Sequence, residues 1–291
     1  MLVIITIPAY NEETTIGQVI SEIQLVMNQT KYRYKILVVD DGSTDRTKEI
    51  AKKLHAKVYS HNRNKGLHET FKSEIHYCLR EKADIIVHTD ADGQYPAEFI
   101  PLMIKEIENG YDLVLGSRFT GTIDAMPLVN RLGNIAFAKV FTHLIKTKIT
   151  DSTTGFRAFT REVALEIPFT TDFTYTHEQL IRAARLRFRI KEIPIRARKT
   201  RKSKLMKGPL DYAIKAWINI IRIYRDYDPL AFFGKIGIIL TAIGLLTSFY
   251  ILYHYLAYGT VGGIPRVIFA TMLILAGIQV TLFGLLADTR R

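Results

Sequence analysis

Ile85-Ile86-Val87-His88-Thr89-Asp90-Ala91-Asp92-Gly93-Gln94-Tyr95-Pro96 is the stretch that decides how this chain is read. Its first three residues form an apolar run of the kind that makes a strand buried on both faces of a parallel sheet. Two carboxylates at i and i+2 end the run, and Gly93 and Pro96 turn the chain. In open α/β sheets, ligands gather at the carboxyl ends of strands. Asp90, Asp92 and the amide oxygen of Gln94 would offer hard oxygen donors there. Such donors suit Mg²⁺ or Mn²⁺, which complete their shell with substrate phosphates. An isolated D-x-D also marks an ordinary solvated acidic turn, so its weight comes from its surroundings.

Outward from that stretch, residues 2–7, 35–39, 57–59 and 113–115 are further strand candidates. The spacing of Ile16, Val19, Ile20, Ile23 and Met27 predicts a helix over 14–27, and helices are expected over 67–80 and 97–109. Strands alternating with helices give an α/β fold with a right-handed, mostly parallel sheet. Ser43 or Thr44 is placed to cap the helix after the second strand, and Asp45 to complement its dipole. Asp40-Asp41 ends that second strand much as Asp90 and Asp92 end the later one, so both acidic clusters fall on one rim. Carboxylates at strand ends, in place of a G-x-G-x-x-G turn, suit a nucleotide whose diphosphate arrives with a divalent cation. That is the chemistry of a nucleotide-sugar.

The net charge of +12 is concentrated. Residues 182–207 hold twelve Lys or Arg and a single acid, Glu192. A block of this kind points to nucleic acid, an anionic membrane surface or a polyphosphate. The C-terminal segments argue against nucleic acid, because residues 236–253 and 267–287 contain no charged side chain and each is long enough to span a bilayer. With only a short Gly-rich link between them they read as a hairpin. Arg222, Arg225 and Lys235 precede the first span and Arg290 and Arg291 come after the second, which predicts that both flanks and the large domain face the cytoplasm. The apolar start, residues 2–7, is short, lacks a basic leader and runs into Pro8, so it reads as a strand and not a signal peptide. Cys78 is the only cysteine and reads as a small buried hydrophobe.

Five segments in order then carry a family resemblance: Ile7-Pro8-Ala9-Tyr10-Asn11-Glu12, Val38-Val39-Asp40-Asp41-Gly42-Ser43-Thr44-Asp45, Thr89-Asp90-Ala91-Asp92-Gly93-Gln94, Gly116-Ser117-Arg118 and Thr154-Gly155-Phe156-Arg157. Over roughly residues 1–230 the chain resembles a family-2 glycosyltransferase of GT-A fold. It is most similar to the polyprenyl-phosphate glycosyltransferases, typified by dolichyl-phosphate mannose synthase. The resemblance implies that Pro8, Tyr10, Glu12, Asp40 and Asp41 hold the base and ribose. It places Asp90, Ala91, Asp92 and Gln94 at the diphosphate, with Asp90, Asp92 and Gln94 on the metal. Arg118 and Arg131 would lie near the transferred sugar and the lipid phosphate, and Ser203-Lys204 would belong to a loop closing over the donor. Two departures stand out. Thr200-Arg201-Lys202 replaces the glycine that usually precedes S-K, and Asn64-Lys65-Gly66-Leu67-His68-Glu69-Thr70 has bulkier residues than usual after its glycine.

The expected organisation is a GT-A domain over 1–206, an interfacial amphipathic helix over 207–229, and a transmembrane hairpin over 230–291 with spans at about 233–256 and 266–287. A further amphipathic run, 127–149, is either a core-facing helix or a second interfacial one; together the two would hold the acidic rim at the lipid surface. Arg198, Arg201, Ser203 and Lys204 are the expected direct phosphate contacts within the basic block, and much of the rest is a solvated face drawn to anionic lipid. Arg157 either touches the diphosphate or pins its own turn, and His88 packs inside the sheet. The expected reaction is inverting, metal-dependent transfer of one sugar, mannose or glucose, from a nucleotide-diphosphate donor to a polyprenyl phosphate. Asp92, Arg118 and Arg131 carry it. A hydroxyl acceptor such as diacylglycerol or a growing glycan would instead need Glu178 as base, and a non-catalytic membrane scaffold is the reading from outside enzymology.

Overall fold

The structure is a computed structural model that describes residues 1–123, 132–133, 135–136, 138–139, 141–142, 147–167, 175–198, 218, 221–222, 224–261 and 263–289. It divides into two compact units, Met1–Ala213 and Ile214–Arg291. In the first, a seven-stranded sheet is ordered β3-β2-β1-β4-β6-β5-β7. Its strands are β1 (Leu2–Ala9), β2 (Arg33–Asp40), β3 (Lys57–Ser60), β4 (Ile85–His88), β5 (Leu113–Ile123), β6 (Arg157–Thr160) and β7 (Ile190–Ala197). The helices of this unit are α1 (Ile16–Met27), α2 (Thr47–Lys53), α3 (Leu67–Arg80), α4 (Ile100–Glu108, entered by a 3₁₀ turn at Ala97–Phe99), α5 (Arg161–Glu166) and α6 (Tyr175–Arg185).

The centre of the sheet is set by β1 and β4, whose residues from Val3 to Ala9 and from Ile85 to His88 are all buried. Continuous apolar runs of this type need helices on both faces. The buried stripe Ile16, Val19, Ile20, Ile23 and Met27 of α1 and the stripe Ile100, Met103, Ile104 and Ile107 of α4 join one core with Val3, Ile5, Ile7, Val38 and Val87. In register, Ala9 of β1 lies beside Asp40 and Thr6 beside His88, which brings the ends of β2 and β4 to the same rim.

The mostly parallel sheet expected from the sequence is present, and the structure adds to that expectation or departs from it in three details. One strand is reversed: β6 runs antiparallel to both β4 and β5, while β7 is parallel to β5. The basic block contains β7, in which Ile193, Ile195 and Ala197 are buried and alternate with exposed residues. A period of two hides a strand among charges when only its inward face is apolar. The third departure is the start of α2, which neither Ser43 nor Thr44 caps; these two residues tie the loop to Asn11. Asp45 is the residue that accepts hydrogen bonds at that helix start, from the Thr47 amide and hydroxyl.

The second unit holds α7 (Pro229–Tyr258) and α8 (Ile264–Thr289), both long and apolar enough to cross a membrane. Asp228 accepts from the Ala231 amide at the start of α7, and Gly259, left-handed at φ 69°, ends it. Small residues let the two backbones touch. A Cβ on Gly237 would stand 2.5 Å from the Gly277 carbonyl oxygen, and one on Gly277 would stand 2.6 Å from that of Gly237. Most of the expected amphipathic run 127–149 and of the expected interfacial helix 207–229, Trp217 included, lies outside the described residues. Within the first run Leu132 is exposed while Ala138 and Phe141 are buried.

Candidate active site

The rim is stitched together before any ligand arrives. Asn11 takes the left-handed conformation at φ 53°, one that asparagine tolerates better than most side chains. Its amide donates to Ser43 Oγ at 2.9 Å and its Oδ1 accepts from the Thr44 amide at 2.9 Å. Through these bonds the loop after β1 is locked to the loop after β2. Pro8 and Glu12 are buried there and Tyr10 is exposed. Asp40 accepts from the Ser43 amide with Oδ1. Asp41 is committed to its own chain: its oxygens accept from the Lys65 and Gly66 amides, and His61 Nδ1 lies 2.7 Å from Oδ1. Gly42, at φ 75°, leaves no room for a side chain, since a Cβ would fall 2.7 Å from the Arg63 carbonyl carbon.

At the end of β4, Asp92 Oδ1 accepts from the Gln94 amide at 3.0 Å, which closes the turn. Ala91 is buried, and the Gln94 carbonyl accepts from the Arg198 amide. Asp90 keeps 30 % of its side chain accessible. Burial nevertheless lifts its pKa to about 6, with His88 and Arg118 opposing the rise and Asp92 adding to it. Among the described residues no donor lies within hydrogen-bond distance of its carboxylate, and His88 Nε2 stands 3.9 Å away. A recessed carboxylate without a donor fits a cation site, because an ion would replace the missing stabilisation. Among the described residues no group of three or more His, Cys, Asp or Glu encloses a metal. The candidate set of Asp90, Asp92 and Gln94 is thus open, and it fits Mg²⁺ or Mn²⁺, which retain waters and take phosphate oxygens.

Arg118, on β5, is nearly buried and held on two sides. Its Nε and Nη2 donate to Asp151 at 2.7 and 2.9 Å, its amide donates to Asp151 at 3.1 Å, and Nη2 also reaches Thr153 Oγ1 at 2.8 Å. Burial works against its charge, and Tyr95, Asp151 and Asp90 outweigh it, so its pKa is raised. Nη1 has no hydrogen-bond partner among the described residues and is the guanidinium's available edge. Glu192 in turn fixes the segment carrying Asp151, accepting from the Thr150 and Asp151 amides and from the Thr150 hydroxyl.

Arg157 resolves to the structural role. It is fully buried and donates to the carbonyls of Ser152, Thr154 and Thr176 and to Gln179 Oε1, with no carboxylate paired to it among the described residues. Burial lowers its pKa to about 10. Glu178 is buried with Oε1 2.9 Å from Arg182 Nη2. Arg198 is bound through both terminal nitrogens by Glu22, at 2.7 and 2.8 Å, and Glu22 also accepts from the Ala97 amide. Arg131, Arg201, Ser203 and Lys204 lie outside the described residues. The sequence did not single out Asp151 or Glu22 as site residues. Glu192 carried a signal, being the lone acid within the basic block.

Residues 4–167 match the profile of glycosyl transferase family 2. The chain is similar to a dolichyl-phosphate hexose transferase of Haloferax volcanii, 38% identical over 186 residues, covering 64% of this chain and 78% of the relative. It is also similar to a UDP-N-acetylglucosamine–dolichyl-phosphate N-acetylglucosaminyltransferase of Methanococcus voltae, 32% identical over 219 residues, covering 67% and 85%. Among solved structures it shares its fold with glucosyl-3-phosphoglycerate synthase from Mycobacterium tuberculosis, captured with Mn²⁺, UDP-glucose and phosphoglyceric acid. That match has a TM-score of 0.59 and 22% identity over 75% of this chain and 79% of the other.

Proposed function

Because the chain belongs to glycosyl transferase family 2, its rim is that of a glycosyltransferase, and we propose that it moves one sugar from a nucleotide-diphosphate donor to a polyprenyl phosphate. The observation that carries the proposal is the acid pair at the end of β4, with Asp90 recessed and donor-free beside the strand ends that present Asp40 and Glu12. Pro8, Tyr10, Glu12 and Asp40 hold the base and ribose, and Asp41 shapes the loop around them. Asp90, Asp92 and Gln94 hold Mg²⁺ or Mn²⁺, which when bound offsets the charge on the departing diphosphate. Arg118 offers Nη1 to a phosphate oxygen while Asp151 fixes its plane, and Arg131 with Arg201, Ser203 and Lys204 completes the cationic surroundings. An acceptor phosphate is already ionised and needs no base, so attack on the anomeric carbon from the face opposite the diphosphate inverts it. The ion pair of the buried Glu178 with the partly exposed Arg182 favours a structural role for that acid over a base for a hydroxyl acceptor.

The likeness to dolichyl-phosphate transferases supports the lipid acceptor, the two apolar helices support a membrane setting, and the basic residues flanking them, Arg222, Arg225, Lys235, Arg290 and Arg291, support a cytoplasmic enzyme domain. Arg198, held by Glu22, anchors the start of the basic segment beside Gln94. The sugar is mannose, glucose or N-acetylglucosamine, and a panel of GDP- and UDP-sugars offered to purified membranes, scoring label in the organic-extractable product, identifies it. In the same assay Asp92→Ala abolishes transfer while membrane yield and circular dichroism are unchanged. Retained turnover in that variant would remove the cation from the mechanism.

A further inference from the structure

The turn after the acid pair is held at both ends by one ion pair. Residues 94–97 lead from Asp92 into the 3₁₀ turn that enters α4. Glu22, on α1, accepts the Ala97 amide with Oε1 at 3.0 Å. The same carboxylate takes Arg198 bidentately, Oε2 accepting from Nη1 at 2.7 Å and Oε1 from Nη2 at 2.8 Å. Arg198 closes the circuit through its own backbone, donating its amide to the Gln94 carbonyl at 2.9 Å. Gln94 is thus gripped through Arg198, and Ala97 through Glu22.

Two other contacts fix what lies between. Val19, three residues before Glu22 and on the same face of α1, supports Gly93, where a Cβ would stand 3.8 Å from Val19 Cγ2. Tyr95 is buried, its ring stacked on Phe156 at 5.2 Å and its hydroxyl accepting from the Gly155 amide. The Glu22 side chain is 23% exposed and that of Arg198 41%. An ion pair so exposed adds little to stability, but a bidentate Arg–carboxylate pair fixes geometry as well as charge. The backbone that this pair fixes carries two of the three candidate cation ligands.

We propose that Glu22 and Arg198 are positioning residues for the cation and the donor diphosphate: the pair braces the turn carrying Asp92 and Gln94, and Arg198 serves the donor through Glu22 and not by touching a phosphate. The proposal rests on the cation reading of Asp90, Asp92 and Gln94 given above. Groups that orient metal ligands from behind typically change metal affinity by about 10- to 100-fold when altered.

The test measures Mn²⁺ binding by full-length protein in detergent, with UDP or GDP present, from the free-ion electron paramagnetic resonance signal. Glu22→Ala is expected to weaken Mn²⁺ binding by about tenfold. A phosphate-binding Arg198 predicts the opposite, because losing Glu22 would release its guanidinium to the diphosphate and binding would hold or tighten. Glu22→Ala combined with Arg198→Ala should be no weaker than Glu22→Ala alone, since the two act as one unit. Glu106→Gln is the control for a merely structural role. It breaks the pair with Lys191 at the other end of β7, 14% and 34% exposed, in the last turn of α4, and should bind Mn²⁺ like wild type. If Glu22→Ala does not fold by circular dichroism, Glu22→Gln replaces it; its amide oxygen still accepts from Ala97, so its affinity should fall short of wild type by less. Wild-type or tighter binding in the Glu22 variant overturns the proposal while leaving the cation site standing. So does a further loss on adding Arg198→Ala, or an equal loss in Glu106→Gln. Wild-type protein that binds no Mn²⁺ overturns the cation reading and this proposal together.

Discussion

Asp151→Ala removes the acceptor for four donors at once: the Arg118 amide, Nε and Nη2, and the Thr153 hydroxyl. The Asp151 side chain is 0% exposed and that of Arg118 10%, so water cannot easily replace what is lost. Breaking a buried pair by deleting one partner costs about 3–5 kcal/mol, because the remaining charge stays buried and unmatched. For a unit of this size each kcal/mol shifts the melting temperature by roughly 2–4 °C, which gives a fall of about 6–20 °C. Thermal unfolding of the full-length protein in detergent, monitored by circular dichroism, measures it. Replacing both partners, Asp151→Ala with Arg118→Met, should recover much of the loss, since no charge is then stranded. A single variant that melts within about 2 °C of wild type, or a double variant no more stable than the single, would refute the claim that Asp151 neutralises and fixes Arg118.

Two further outcomes rest on the same physics. Burial lowers the pKa of His177 from 6.5 to about 3, with Arg157 adding to the effect. Between those values the unfolded chain holds a proton that the folded one refuses, so stability is complete above pH 6.5 and falls as pH drops, by up to about 1.4 kcal/mol per unit. His177→Phe, which keeps a ring against Phe141, should lose that dependence, and parallel stability-against-pH curves for the two proteins would count against it. In the second unit, Gly277→Val would press a Cβ to within 2.2 Å of Thr241 Oγ1 and 2.6 Å of a backbone oxygen. Overpacking of this kind costs about 1–3 kcal/mol, so the variant should lose helicity at a lower sodium dodecyl sulfate fraction than wild type; an unchanged midpoint would contradict the close backbone approach.

The parts of the fold that could be read in advance are those where one physical rule acts alone. β1, β2 and β4 are runs of Ile and Val buried on both faces, and α1 repeats its apolar residues at helical spacing, so neither needs tertiary information. β7 was hidden because its inward face is only Ile193, Ile195 and Ala197, alternating with the exposed Pro194 and Arg196 and preceded by Lys191 and Glu192. β6 has four residues, too few for periodicity, and its reversed direction is a property of the connection that delivers it. At the site, Asp90 and Asp92 were legible from their place after a buried run. Asp151 and Glu22 were not, since each acts through a side chain 33 or 176 positions away in sequence. Arg198 reads in the sequence as a phosphate ligand, and in the structure Glu22 holds it, because α1 and the residue after β7 meet only once the sheet is assembled.

The reversed direction of β6 has a bearing on how such an enzyme can diversify. β5 leaves the sheet on the side where β4 ends, and β6 re-enters there, with Arg157 paired to both Leu115 and His88. The two described ends of the connection between β5 and β6 therefore leave and rejoin the sheet on the rim that carries Asp90. Because Thr150, Asp151 and Thr153 at its returning end are bound to Glu192 and Arg118, variation in this connection is constrained there, while the pairing of β4, β5 and β6 does not depend on its length.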